Sequence, residues 1–209
     1  MNNKDQIATI NDIQICYRDT ENQNGIPLLL IMGLGAQLIG WPEQFIIKLQ
    51  KSGFRVVWFD NRDCGLSTKT EGDPPDGADF LVSATMGEEI TSVYSLSDMA
   101  QDASELLDYL EIPSAHIVGA SMGGMIAQTL AIEHPDKVRS LTSIMSATGN
   151  PDDFTPTEEA LTALLSEPLT ERDQVIEANV AASKVLAGPL WDEPYAREVA
   201  ETVSYTHLT

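Results

Sequence analysis

Ser121 is the residue the sequence most clearly prepares for chemistry. It stands in G-A-S-M-G-G, Gly119 to Gly124, after an apolar strand-like run (Ala115 to Ala120) and before a helix-like run (Met122 to Glu133). A G-x-S-x-G nucleophile elbow requires that strand–turn–helix context. The turn is so tight that its flanking positions must be glycine, and the serine sits in strained backbone that projects it from the sheet edge. The Met122 amide then lies at a helix N-terminus, aimed where negative charge develops on a substrate oxygen. A second donor is expected from the loop after the first long buried strand. That loop is M-G-L-G, Met32 to Gly35, and the Leu34 amide is the candidate, since the flanking glycines let backbone approach a substrate closely. The alternatives are a structural serine and a plain turn.

Such a site needs a frame that brings a strand end, a helix start and a second loop together. Ile7 to Ile10 and Ile13 to Tyr17 flank Asn11-Asp12, which suits a tight hairpin. Leu28 to Met32 is continuously apolar and is followed by Gly33 and Gly35, as expected of a central parallel strand buried on both faces. Pro42 to Leu49 reads as a helix with proline near its first turn, and Phe54 to Phe59 as a second buried strand. Residues 96–110 form an amphipathic helix with Leu106, Leu107 and Leu110 on one face and Ser95 or Ser97 as cap. Val138 to Met145 is a fourth apolar strand. Strands alternating with helices predict the α/β class with a mostly parallel sheet.

Two regions break that rhythm. Residues 61–94, with Asp73-Pro74-Pro75-Asp76-Gly77, join a strand to a helix with more chain than the link needs, as expected of a functional wall or a mobile segment. After Asn150 helical pattern dominates (Glu158 to Leu165, Arg172 to Leu186), interrupted by Pro168 and Pro189. This predicts a core over 1–150 and a helical lid over 151–202.

The 209 residues, 43% of them hydrophobic, suffice for one domain or one domain with an insertion. Twelve Lys and Arg against 32 Asp and Glu give a net charge of −20. No cationic footprint for phosphates exists, so neither nucleic acid nor an anionic membrane is an expected partner. Cys16 and Cys64 alone make neither a disulfide framework nor a zinc site, and they fit a reducing compartment. The N-terminal M-N-N-K-D-Q-I lacks the apolar stretch of a signal peptide, and the longest mostly apolar run, Ile26 to Ala36, is too short to span a bilayer. A soluble, cytoplasmic protein without metal is expected, of open oligomeric state.

Three segments carry a family resemblance: L-L-L-I-M-G-L-G followed by G-W-P-E-Q-F; V-V-W-F-D-N-R-D-C-G-L-S; and H-I-V-G-A-S-M-G-G-M-I-A-Q-T-L-A-I-E-H-P. Over roughly Ile7 to Glu201 the chain resembles the α/β-hydrolase superfamily. Within it the chain looks most like the lidded carboxylic-ester hydrolases that include aclacinomycin methylesterase. The resemblance implies a Ser-His-Asp triad, no cofactor, Ser121 as nucleophile and the Leu34 and Met122 amides as oxyanion donors. Asp60 and Arg62, in the hallmark F-D-N-R-D-C-G-L-S just after a strand end, read as a charged network that holds the loop, the alternative being a catalytic role. A serine at the elbow disfavours epoxide hydrolases and haloalkane dehalogenases, which resemble this fold but use an aspartate there.

In this fold the triad follows the order Ser, Asp or Glu, His, so both partners must follow Ser121. His116 precedes it by five strand residues, about 16 Å. His134 lies thirteen residues down the following helix, about 20 Å away, where it is expected to meet the last helix carbonyls. His207 falls in V-S-Y-T-H-L-T, a string that matches the translation of a transposon end used in sequencing libraries. Residues 203–209 are therefore expected to be a non-native tail on a truncated frame, with the triad Asp and His absent from this chain. Asp152, Asp153, Asp173 and Asp192 read as solvated surface. Trp41, Met125 and Trp191 are candidates to line a pocket, or plain packing.

The expected activity of the complete protein is hydrolysis of a small apolar carboxylic ester through an acyl-enzyme, with the 209-residue chain itself inactive and prone to aggregate. The alternatives are other acyl chemistry on the same triad (C–C or amide hydrolysis, perhydrolysis), a non-catalytic ligand-binding protein, and a genuine short form serving as an interaction module.

Overall fold

The computed structural model describes residues 4–71, 92–150, 157–164 and 169–207. The Asp73 to Gly77 stretch, Asp152, Asp153 and Pro168 lie outside them. Met1–Thr70 with Tyr94–Asp153 cluster as one compact unit, and the remaining residues as a second.

The first unit is a six-stranded sheet with helices between its strands. Strands β1 (Gln6–Ile10) and β2 (Ile13–Asp19) form the hairpin, with Ile10 opposite Ile13. Asn11 and Asp12 both take positive φ (47° and 61°), as the twist-matched two-residue turn demands. Strands β3 (Ile26–Ile31), β4 (Phe54–Phe59), β5 (Ala115–Ala120) and β6 (Val138–Ile144) complete the order β1-β2-β4-β3-β5-β6. β4, β3, β5 and β6 run parallel, and β1 and β2 are added antiparallel.

Alternation of side chains along the central strands gives each face its own core. Leu29, Ile31, Val57, Phe59 and Ile117 pack with the apolar sides of α2 (Leu96–Tyr109) and α3 (Met122–Glu133), through Ala103, Leu106, Leu107, Ile126 and Leu130. On the other face Leu28, Leu30, Val56, Trp58 and Val118 pack with Leu38 and with Ile46 of α1 (Glu43–Lys51). This is why β3 and β4 are apolar without interruption. Ser95 starts α2 with a full capping box shared with Asp98. β6 is an edge strand, and Arg139 to Ile144 are exposed along it, Leu141 and Ile144 included.

The second unit contains α4 (Glu158–Leu164), α5 (Arg172–Ala187) and α6 (Glu193–His207). Ile176, Val180 and Ala200 form its small core with Trp191 against them. Trp191 Nε1 donates to Ser183 Oγ at 3.1 Å, and the Lys184 ammonium lies 5.2 Å from the indole ring. No described helix is long and apolar enough to cross a membrane.

Candidate active site

β5 ends at Ala120 and α3 begins at Met122, so one residue makes the whole reversal. That residue, Ser121, has φ 54° and ψ −124°. L residues rarely adopt such a conformation, and it costs on the order of 1–3 kcal/mol. Backbone bonds on both sides hold it there. Its N–H donates to Ile144 O of β6 at 2.9 Å, and its carbonyl accepts from Gly124 N at 2.8 Å. A serine before a helix ordinarily turns its hydroxyl back to cap the first turn. Ser121 makes no such bond, so the helix does not occupy its hydroxyl.

The glycines of the motif are dictated by contact with backbone. A Cβ on Gly119 would come within 2.1 Å of Gly123 O, and one on Gly123 within 2.2 Å of Ile31 O. The start of α3 therefore lies directly on the ends of β5 and β3. The loop after β3 completes the arrangement. A Cβ on Gly33 would lie 2.9 Å from Ser121 Cβ and 3.3 Å from Ser121 Oγ, so this loop touches the serine.

Beyond Gly33 the chain turns, with Ala36 N donating to Gly33 O at 3.3 Å and Gly35 at φ +65°. Leu34 occupies the corner with its side chain exposed. In such a turn only the fourth residue donates inward, and at a helix start the first amides have no intrahelical acceptor. The Leu34 and Met122 amides each follow one member of the Gly33–Ser121 contact, and neither is consumed by its own turn.

Asp60 and Arg62 both hold surrounding chain, each through its own partners. Asp60, buried just after β4, accepts from Leu38 N at 2.6 Å and Leu66 N at 2.9 Å. Burial raises its carboxyl above the ordinary value, against the lowering effect of those two N–H groups and of Lys69. Arg62 instead grips buried Asp102 with two bonds (2.7 and 2.8 Å) and lies 5.2 Å from the centre of the Tyr94 ring. Asn61, given no role by the sequence reading, donates from Nδ2 to Met32 O at 2.9 Å. Its only sequence signal is its place in F-D-N-R-D-C-G-L-S.

The other candidates lie elsewhere. His116 pairs with Leu28 at the far end of β5, and its Nδ1 is 2.7 Å from Ser140 Oγ. His134 caps the C-terminus of α3 through its own N–H, which donates to Leu130 O at 2.8 Å. Asp173 is exposed, and Asp192 accepts from Tyr195 N at the start of α6. Trp41 stacks on Phe45 with ring centres 5.8 Å apart, and Met125 is half-buried on α3. Among the described residues no group of three or more His, Cys, Asp or Glu gathers to hold a metal.

The chain belongs to the α/β hydrolase fold family, which matches it over residues 26–198. It is 31% identical over 135 residues to the rhodomycin D methylesterase DnrP of Streptomyces peucetius, a match covering 65% of this chain and 40% of that protein. It is 30% identical over 167 residues to the 2-hydroxy-6-oxononadienedioate/2-hydroxy-6-oxononatrienedioate hydrolase of Burkholderia vietnamiensis, covering 77% of this chain and 51% of that one. The chain thus spans about half or less of the length of these relatives. Among solved structures it resembles the 2-hydroxy-6-oxo-6-phenylhexa-2,4-dienoate hydrolase of Rhodococcus sp. strain RHA1, with a TM-score of 0.68 at 19% identity over 97% of this chain and 66% of that one. That similarity establishes the fold.

Proposed function

We propose that this chain is the nucleophile-bearing part of a serine hydrolase that cleaves small apolar carboxylic esters through an acyl-enzyme. One observation carries the reading: Ser121 is held at strained positive φ with its hydroxyl unused as a cap and pressed against the Gly33 loop. Strain of that kind persists only where surrounding structure enforces it, and it clusters at reactive sites. In the reaction Ser121 Oγ bonds to the ester carbonyl carbon as a histidine takes its proton. The Leu34 and Met122 amides hold the resulting oxyanion. Collapse expels the alcohol, which receives that proton, and water then releases the acid.

The histidine and its acid belong, in this reading, to chain outside these 209 residues. Neither His116 nor His134 is placed for the role. The 209-residue polypeptide then retains only the catalysis that donors and binding supply, about 10³–10⁴ over water in a triad-depleted enzyme. The similarity to the Burkholderia hydrolase supports a second reading, C–C bond hydrolysis by the same serine.

The test is acylation by p-nitrophenyl acetate, followed by p-nitrophenolate release and by the mass of the Ser121 peptide. Slow acetylation of Ser121 is expected, accelerated by imidazole as a stand-in base and absent from Ser121→Ala. Identical release by Ser121→Ala refutes the nucleophile. Fast turnover without imidazole refutes the missing base. Cleavage of a 2-hydroxy-6-oxo-dienoate in preference to the ester selects the second reading.

A further inference from the structure

The turn that carries Leu34 is not a self-supporting loop. It hangs from the end of the neighbouring strand. β3 and β4 are parallel neighbours with Ile31 opposite Phe59, so the residues that leave β4 run alongside those that leave β3. Asn61 Nδ2 donates to Met32 O at 2.9 Å, two residues before Leu34. Asp60 Oδ1 accepts from Leu38 N at 2.6 Å, four residues after it. Two adjacent residues of F-D-N-R-D-C-G-L-S thus hold the two ends of the Met32–Leu38 backbone.

The opposite side of the same backbone touches the elbow. A Cβ on Gly123 would approach Met32 O to 2.6 Å, so this carbonyl sits between the Asn61 amide and the glycine after Met122. Gly33, the next residue, touches Ser121. The loop is therefore clamped between β4 and the elbow, and the Asn61 bond fixes how closely it sits on the serine. Asp60 is fixed in turn. Its second oxygen accepts from Leu66 N, and Gly65 at φ +47° leaves no room for the carboxylate to shift, since a Cβ there would fall 2.0 Å from Oδ2.

We infer that Asp60 and Asn61 are positioning residues for oxyanion stabilisation, holding the Met32–Leu38 turn in register with Ser121 so that the Leu34 amide meets the developing charge. The inference rests on the reading of Ser121 as nucleophile and of Leu34 as oxyanion donor. Neither side chain touches substrate. Each acts through the backbone it holds. Removing a whole oxyanion donor costs about 10²–10³ in rate, and misplacement by about 1 Å costs up to about 10², so a retained donor shifted by a fraction of that distance should lose about tenfold.

The experiment measures acylation by p-nitrophenyl acetate in imidazole buffer for the 209-residue chain and for Asn61→Ala, Asp60→Asn and Arg62→Ala, with Ser121→Ala as blank. Arg62→Ala disturbs the adjacent position without touching the turn, so it reports what general loosening does. Asn61→Ala and Asp60→Asn are expected to lower the saturated acylation rate about tenfold with half-saturation within about twofold. Arg62→Ala is expected to match the parent. Equal rates in folded Asn61→Ala and the parent overturn the positioning role and leave the nucleophile standing. A matching loss in Arg62→Ala also overturns it. Absence of Ser121-dependent acylation in the parent overturns the nucleophile reading, and the positioning role with it. If Asp60→Asn does not fold, Asn61→Ala decides alone, because it deletes one hydrogen bond and leaves the buried carboxylate in place.

Discussion

Replacing Ser121 by glycine should make the protein more stable, although it removes the residue on which the proposed chemistry depends. Ser121 carries a Cβ at φ 54° and ψ −124°, where glycine has no steric penalty. The strain is on the order of 1–3 kcal/mol. Glycine gives back part of that relief, about 0.4–1 kcal/mol, because its unfolded chain is freer. The net gain is about 1 kcal/mol, which in a chain of this size raises the melting temperature by about 2–4 °C. Ser121→Ala is the control, because alanine keeps the Cβ and the strain and deletes only a hydroxyl that caps nothing. It should lie within about 0.5 kcal/mol of the parent. Urea titration of the three proteins, with thermal melts beside them, reads the difference directly. The bonds that hold Ser121, from its N–H to Ile144 O and to its carbonyl from Gly124 N, are backbone bonds and survive both substitutions. If Ser121→Gly melts at or below Ser121→Ala, the elbow stores no strain.

Three further outcomes follow from contacts already described. Gly123→Ala should lose about 3 kcal/mol or fail to fold, since its Cβ would press within 2.2 Å of Ile31 O, and a soluble variant with parental urea midpoint would refute that packing. Burial pushes the Cys16 thiol up to about 12 and the Cys64 thiol up to about 11, so neither should react with a disulfide reagent at pH 8 until urea is added, and rapid native labelling of either would contradict the burial. Ser95→Ala should cost about 1 kcal/mol at neutral pH through loss of the capping box. The Ser95 side chain holds the Asp98 carboxyl below its ordinary value, so this stability is present above the unfolded-chain pKa and is lost as pH falls through the folded one. Urea titrations at neutral pH and near pH 3 should show the cost shrink, and an undiminished cost in acid would exclude the linkage.

The frame was legible because its signals are local and repeated. Buried parallel strands must be apolar on both faces, and Leu28 to Ile31 and Phe54 to Phe59 are. Asn11-Asp12 tolerates the positive φ of a two-residue hairpin turn, and Ser95 with Asp98 marks a helix start. Boundaries moved by only a residue or two: α1 runs to Lys51 rather than Leu49, and α2 stops at Tyr109. α6 gave no comparable sequence signal. Its small core leans on α5 through Ala200, a residue too small to announce a buried face.

Side-chain partners across the sheet were not legible, and the reason is physical. Asp60 and Arg62 stand two residues apart in sequence, with neutral Asn61 between them, and their charges suggest a network that holds the loop. Past the end of a strand, however, the regular alternation of side chains is lost and spacing no longer says which neighbour each will meet. Asp60 and Asn61 turn to the backbone of the next strand's loop, while Arg62 reaches Asp102 of α2. Nothing in F-D-N-R-D-C-G-L-S states that its partners are the Met32 carbonyl and the Leu38 amide, because backbone atoms leave no residue type to read. The elbow differs in kind. There the constraint falls on the side chains themselves, and glycine is the only residue that admits Gly123 O against Gly119 or Ile31 O against Gly123. Steric exclusion by backbone therefore writes itself into the sequence, and attachment to backbone does not. Residues that position a reactive group through main-chain atoms, as Asp60 and Asn61 do here, are consequently found by tracing what holds the loop rather than by scanning for residues able to do chemistry.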